Sequence, residues 1–287
     1  MMHEGVDRAR IAGLASAAAA QLPSEYDPSR AAAFFDVDNT IMRGASLFHV
    51  AVGMARRKFF TTGELIGFGM AQARFILRGT ENAEDMAEAT EAALAFVKGR
   101  RVEEIIAFGQ DIFDDSMVDK MIPGTLALAQ EHLDAGRQVW LVTATPIELA
   151  QVIARRLGLT GALGTVSEIS DGAYTGCLVG APLHGKAKAE AVQALAQREG
   201  LDLANCWAYS DSTNDLPMLG CVGNPVAVNP DPKLRAHALL HSWPIQDFRA
   251  RRHMHKAGSP TTLAVAGGIA AGAAIGFIAG RAGRGRH

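Results

Sequence analysis

Two carboxylates, Asp36 and Asp38, stand two residues apart at the end of the apolar run Ala31-Ala32-Ala33-Phe34-Phe35, and a hydroxyl follows at Thr40. In an extended segment residues i and i+2 project to the same side, so the two acids of Asp36-Val37-Asp38 point together. Burying like charges side by side raises the pKa of each unless a cation compensates them. Hard oxygen ligands with no His or Cys nearby favour Mg2+ over zinc. A solvated Asp-Asn turn is the plainer reading of the same stretch.

A second acidic cluster, Ser210-Asp211-Ser212-Thr213-Asn214-Asp215, follows another apolar run. Alone it could equally be a helix N-terminus with ordinary acidic capping. Between the clusters lie Thr143, which closes Gln138-Val139-Trp140-Leu141-Val142, and the two lysines of His184-Gly185-Lys186-Ala187-Lys188.

The elements that must position these residues follow from pattern. Residues 31–35 and 138–143 read as buried strands, with further strands at 206–209 and 225–228. Helices are expected at 123–135, from Pro146 onward, and at 186–199, and Asp171-Gly172 reads as a turn between two short strands. Strands alternating with helices imply an α/β fold with a parallel sheet, in which ligands sit beyond the carboxyl ends of the strands. Asp36, Asp38, Thr143 and Asp211 all fall there.

No proline occurs between Pro28 and Pro123. Thr61-Thr62-Gly63-Glu64 is a capping-box pattern, and Gly79 and Gly99 suit helix ends. Leu65, Phe68, Phe75 and Ile76 recur at helical spacing, so residues 46–120 are expected to form an all-helical insertion.

The ordered set Asp36-Val37-Asp38-Asn39-Thr40, Thr143, a lysine, then Ser210-Asp211-Ser212-Thr213-Asn214-Asp215 resembles the haloacid dehalogenase superfamily of phosphatases. It is most similar to the phosphoserine-phosphatase-like branch, subfamily IB, over residues 31–245. The resemblance implies a doubly wound, Rossmann-like core (31–45 and 121–248) with a helical cap at 46–120. It implies a Mg2+-dependent phosphomonoester hydrolase with an aspartyl-phosphate intermediate. Asp36 would be the nucleophile and Asp38 the general acid and base. Mg2+ would be held by Asp36, the Asp38 carbonyl and Asp211, with Asp215 orienting its waters. Thr143, the Ala144 N–H, Asn214 and the lysine would hold the phosphate or substrate.

Spacing from Glu199-Gly200, with Val192 and Leu195 on the buried side, favours Lys188 as that lysine, and Lys186 is the alternative. In phosphoserine phosphatases a glutamate nine residues after the nucleophile binds the substrate amine, whereas here Ala45 stands there, so phosphoserine is not expected to be strongly preferred. Arg74 and Arg78 are candidates for the cap arginine. The other readings are a phosphatase of a lipid or other small phosphomonoester, a phosphotransferase, and a catalytically silent membrane-tethered scaffold.

The net charge of −2 hides an asymmetry, since residues 249–287 hold seven of the 28 Lys and Arg and no acid. The remaining 21 bases face 30 acids, which puts the body at −9 and the tail at +7. A nucleic-acid face on the body is therefore not expected. Three cysteines without a C-x-x-C pair read as reduced thiols in a cytoplasmic body.

Residues 261–280 carry no charge and are flanked by Arg and Lys, long enough for a transmembrane helix. Gly268, Gly272, Gly276 and Gly280 form a small-residue stripe suited to helix pairing, hence a homodimer. The expected organisation adds to the core a tail (249–287) made of a basic linker, a membrane-anchoring C-terminal hydrophobic helix at 261–280 and a basic end. Residues 1–30 are expected to form an N-terminal arm, or a short Ala-rich surface helix rather than a signal peptide.

Overall fold

The computed structural model describes residues 2–21, 30–46, 49–50, 53, 94 and 97–249. Its elements in chain order are α1 (Met2–Ala19), β1 (Ala32–Asp36), α2 (Val102–Ile112), α3 (Pro123–Asp134), β2 (Gln138–Pro146), α4 (Ile147–Arg156), β3 (Gly161–Thr165), β4 (Ser167–Ser170) and β5 (Ala173–Leu178). Then follow α5 (Lys186–Glu199), β6 (Trp207–Ser210), α6 (Leu216–Leu219), β7 (Asn224–Val228), α7 (Pro232–Leu240) and β8 (Ile245–Gln246).

Six strands form one sheet in the order β3-β2-β1-β6-β7-β8, with every neighbouring pair parallel. The chain winds outward one way from β1 through β2 to β3, then returns to the other side through β6. The order therefore reverses between β1 and β6, where a doubly wound sheet opens a crevice beyond its carboxyl ends.

All five residues of β1 are buried, as a central parallel strand covered on both faces requires. Its alternation splits the core in two. Ala33 and Phe35 pack on one face with Leu141, Ile112 and Ile153, while Ala32 and Phe34 pack on the other with Val192, Leu195 and Leu183. Asp36 continues the Phe34 face, the one that α5 covers.

Helix α1 is more than the arm or surface helix expected from its alanines. Ala12, Ser16, Ala17 and Ala20 are buried. Ser16 accepts from the Gly164 N–H at 2.9 Å, and Arg198 of α5 donates to the carbonyls of Ala17 and Ala20 at the helix end. Small side chains allow this close approach, because a Cβ on Gly13 would meet α5 at Glu190 and Ala191.

Strands β4 and β5 pair antiparallel about Asp171 and Gly172, both at positive φ. Residues 99–102 bond along this hairpin: Gly99 N–H donates to the Tyr174 carbonyl at 2.8 Å, and Tyr174 N–H to that of Arg100 at 3.0 Å. The end of the expected insertion is thus braced by the hairpin. Most of that insertion, with Arg74 and Arg78, lies outside the described residues, as does the tail with its glycine stripe. The compact body runs to Arg249.

Candidate active site

The crevice at the strand reversal holds an ion-pair cluster. Lys188 donates from Nζ to Asp36 Oδ1 at 2.6 Å and to Asp215 Oδ2 at 2.8 Å. All three side chains are shut off from solvent. Ser210, the last residue of β6, donates to the same Asp215 oxygen at 2.8 Å. Lys188 reaches Asp36 because both lie on the face where Val192 and Leu195 of α5 pack against Phe34. Lys186, at the first position of α5, is exposed.

After Asp36 the chain turns sharply, since the Val37 carbonyl accepts from the N–H groups of Thr40, Ile41 and Met42. Asn39 takes the left-handed conformation (φ 59°), and its side chain accepts from the Gly44 N–H at 2.9 Å. Asp38 thereby meets Ser46, whose N–H donates to Asp38 Oδ1 at 2.8 Å.

Strand β2 loses its regular register against β3 between Val142 and Pro146. Such an irregularity re-aims side chains at a strand end. Thr143 lies one residue beyond the Asp36↔Val142 pairing. Its hydroxyl donates to Thr145 Oγ1 at 3.1 Å, while Ala144 is exposed.

On the far side, Asp231 ties down the acidic loop. It accepts from the Thr213 N–H at 2.7 Å and the Thr213 hydroxyl at 2.8 Å, and its own N–H donates to the Asp211 carbonyl at 2.8 Å. Asn229 links two segments, donating to the Asn39 carbonyl at 3.3 Å and accepting from the Phe248 N–H at 2.8 Å. Asn214 is exposed at the rim, between Thr213 and the buried Asp215.

Burial pushes the Asp36 carboxyl up; the Lys188 cation opposes this, and the charges of Asp215 and Asp38 add to the rise. Asp211 is raised by burial, then by Asp36 and Asp215. Asp38 is raised by burial and partly restored by its hydrogen bonds from Ser46. Burial alone would lower Lys188, but Asp215 and Asp36 outweigh it and hold the ammonium protonated.

Four acids therefore surround one ammonium. Asp215 Oδ1 is buried without a hydrogen-bond partner among the described residues. A hard divalent cation suits both the charge surplus and that orphaned oxygen. Among the described residues no three acid, His or Cys side chains converge as a ready-made cage. Mg2+ does not require one, because it keeps several waters and takes only one or two carboxylates.

The geometry thus gathers Asp36, Asp38, Thr143, Lys188, Asp211 and Asp215 at one end of the sheet and leaves Lys186 outside. Sequence reasoning overlooked Ser46, Thr145, Asn229 and Asp231. Thr145 carried a signal, being at i+2 from Thr143, whereas the partners of Ser46 and Asn229 are remote in sequence.

The model of the haloacid dehalogenase-like hydrolase family matches residues 33–220. The chain is 55% identical over 251 residues to the phosphoserine phosphatase SerB1 of Mycobacterium tuberculosis, covering 88% of this chain and 80% of that protein. A crystal structure of a Bordetella pertussis protein of unknown function aligns at 30% identity with a TM-score of 0.68, over 76% of this chain and 99% of that one. A substrate-bound phosphoserine phosphatase complex, at 19% identity and a TM-score of 0.52 over 82% of this chain and 99% of that one, shares the fold.

Proposed function

The chain belongs to the haloacid dehalogenase-like hydrolases, and from that premise we propose that it is a phosphatase of small phosphomonoesters that works through Asp36. The observation that carries this reading is the buried Lys188 bridging Asp36 and Asp215 at the strand reversal. Its charge opposes the rise that burial imposes on the Asp36 carboxyl, in the crevice where a phosphoryl group would dock.

In this reading Asp36 attacks phosphorus, and an aspartyl-phosphate splits one hard displacement into two easier ones. Asp38 gives its proton to the departing oxygen, then takes one from the hydrolytic water. Thr143 and the Ala144 N–H receive a phosphoryl oxygen, with the Lys188 ammonium on the same group. Asn214 at the rim is placed to meet the rest of the substrate.

Asp36, the Asp38 carbonyl and Asp211 would hold Mg2+, with Asp215 on its waters. The ion would supply charge neutralisation for the phosphoryl oxygens.

Phosphoserine is the first ester to assay, because a 55% identical relative carries that name. Ala45 is exposed beside Ser46 and offers no carboxylate to an ammonium. Phosphoserine should therefore be turned over with little preference over an alkyl phosphate lacking the amine. Assay of purified protein on phosphoserine, glycerol 3-phosphate and p-nitrophenyl phosphate, with Mg2+ and with EDTA, tests the reading. Release of phosphate from none of them, or equal release in EDTA, would count against it.

We also propose that the basic, apolar tail anchors a cytoplasmic body to a membrane. No helix among the described residues is long and apolar enough to cross one, and residues 261–280 lie outside them. The support is the uncharged stretch of 20 residues and its basic flanks.

A further inference from the structure

Three hydroxyls lie in line behind the site. Thr143 Oγ1 donates to Thr145 Oγ1 at 3.1 Å, and Thr145 Oγ1 meets Ser46 Oγ at 2.6 Å. Ser46 in turn gives its backbone N–H to Asp38 at 2.8 Å. Thr143, Thr145 and Ser46 are 1%, 2% and 0% exposed, so within this chain of bonds no group can trade its partner for bulk water.

We propose that Thr145 is a positioning residue for Asp38, acting through Ser46, so that the phosphoryl-binding hydroxyl of Thr143 and the proton-donating carboxyl of Asp38 are set by one buried bridge. The inference rests on the reading of Asp38 as the group that protonates the leaving oxygen.

Among the described residues, the Thr145 hydroxyl is the contact that ties the Ser46 side chain to the core. The Ser46 N–H is spent on Asp38, while Gly44 and Ala45 just before it are exposed and Gly44 sits at positive φ. Ser46 is also the first residue of the expected 46–120 insertion, so its direction must be set from the core side. Thr145 does that from the irregular end of β2, where its own N–H is held by Thr143 Oγ1 at 3.1 Å.

The proton that Asp38 supplies goes to the bridging oxygen as its bond to phosphorus breaks. An alkoxide needs that proton much more than a nitrophenolate does. Misplacing Asp38 must therefore slow alkyl esters more than aryl esters, whereas a general loss of packing slows both alike.

The test uses the full chain with Mg2+ and compares phosphoserine with p-nitrophenyl phosphate. Thr145→Val removes the hydroxyl at nearly constant volume. Its kcat/KM on phosphoserine, which reports departure of the leaving oxygen rather than the hydrolysis step common to both esters, should fall about tenfold more than on the aryl ester, a fraction of the 10²–10⁴ that a well-placed acid contributes. Thr145→Ser should restore the ratio. Ser46→Ala, which keeps the N–H to Asp38 but loses the hydroxyl that meets Thr145 and also bonds Asp38, should shift the ratio the same way and at least as far, and it carries the comparison if Thr145→Val does not fold.

Equal losses on both esters, or no rescue by Thr145→Ser, overturn the inference and leave the phosphatase reading standing. A wild-type protein that hydrolyses neither ester overturns both.

Discussion

Lys188 Nζ and Asp36 Oδ1 are 2.6 Å apart, and both side chains are almost wholly buried. Removing the lysine leaves the Asp36 and Asp215 charges uncompensated in a low-dielectric setting, and breaking a buried pair in this way typically costs about 3 to 5 kcal/mol. Lys188→Met should therefore lower the melting temperature of metal-free protein by several degrees, and added Mg2+ should recover part of the loss. Turnover should fall at least a hundredfold, as for loss of a preorganised phosphoryl contact. A Lys188→Met protein as active as wild type would remove the lysine from the site, and Lys186→Met is the control with no such effect.

His132 offers a pH test away from the site. Its Nε2 meets the Tyr209 hydroxyl at 2.7 Å, Arg137 donates to its Nδ1 at 2.8 Å, and burial followed by the Arg137 charge pushes its pKa down to about 4. The folded state thus keeps this ring neutral where the unfolded chain, near 6.5, takes up a proton. The stabilisation is present in full above pH 6.5 and is lost as pH falls from about 6.5 to 4. The advantage in urea midpoint of wild type over His132→Gln should shrink as pH falls across that window, a difference that cancels the opposite drift from the raised carboxyls of Asp36 and Asp211. A constant advantage would show that His132 is not responsible.

Much of the crevice was legible because each strand announces its own end. The apolar run closing in Asp36, and Val142 leading to Thr143, mark the carboxyl ends of two adjacent strands in the sequence itself. Lys188 was separable from Lys186 because Val192 and Leu195 fix which side of α5 is buried. What stayed hidden depends on distant pairing. The Ser46–Thr145 bond spans 99 residues and the Asn229–Asn39 bond 190, and no local period encodes either. Strand β8 is two residues long and too short to carry an alternation. Helix α1 looked like a loose arm because its buried face is alanine and serine, whose signal is close packing rather than hydrophobicity.

Substrate choice turns on Ala45. Lacking a charge-assisted partner worth about 1.5 to 3 kcal/mol, the protein should forgo roughly ten- to 150-fold of preference for phosphoserine over glycerol 3-phosphate. Ala45→Glu should raise that preference at least tenfold in kcat/KM. A wild-type preference already above a hundredfold would mean that another carboxylate binds the amine.

The body should be separable from the tail at a defined point. Phe248 packs against Gly124 and gives its N–H to Asn229, and Arg249 bonds Asp247 and the Pro230 carbonyl, so the cut belongs after Arg249 rather than before it. Truncation there should leave an active enzyme in the soluble fraction, while the untagged full chain sediments with membranes. Full-length protein staying soluble at low and high salt would refute the anchor, and release by salt alone would replace it with a peripheral basic tail.

The most direct test of the account is the turnover of Asp36→Asn with p-nitrophenyl phosphate and Mg2+. The change is nearly isosteric and lessens the surplus of negative charge, so the fold should persist with an unchanged circular dichroism spectrum and no loss of melting temperature. Activity should drop below a hundredth of wild type, because an amide cannot displace the leaving group at phosphorus. A folded Asp36→Asn protein that keeps a tenth of wild-type activity, with contaminating phosphatase excluded, would contradict the assignment of Asp36 and with it the proposed mechanism.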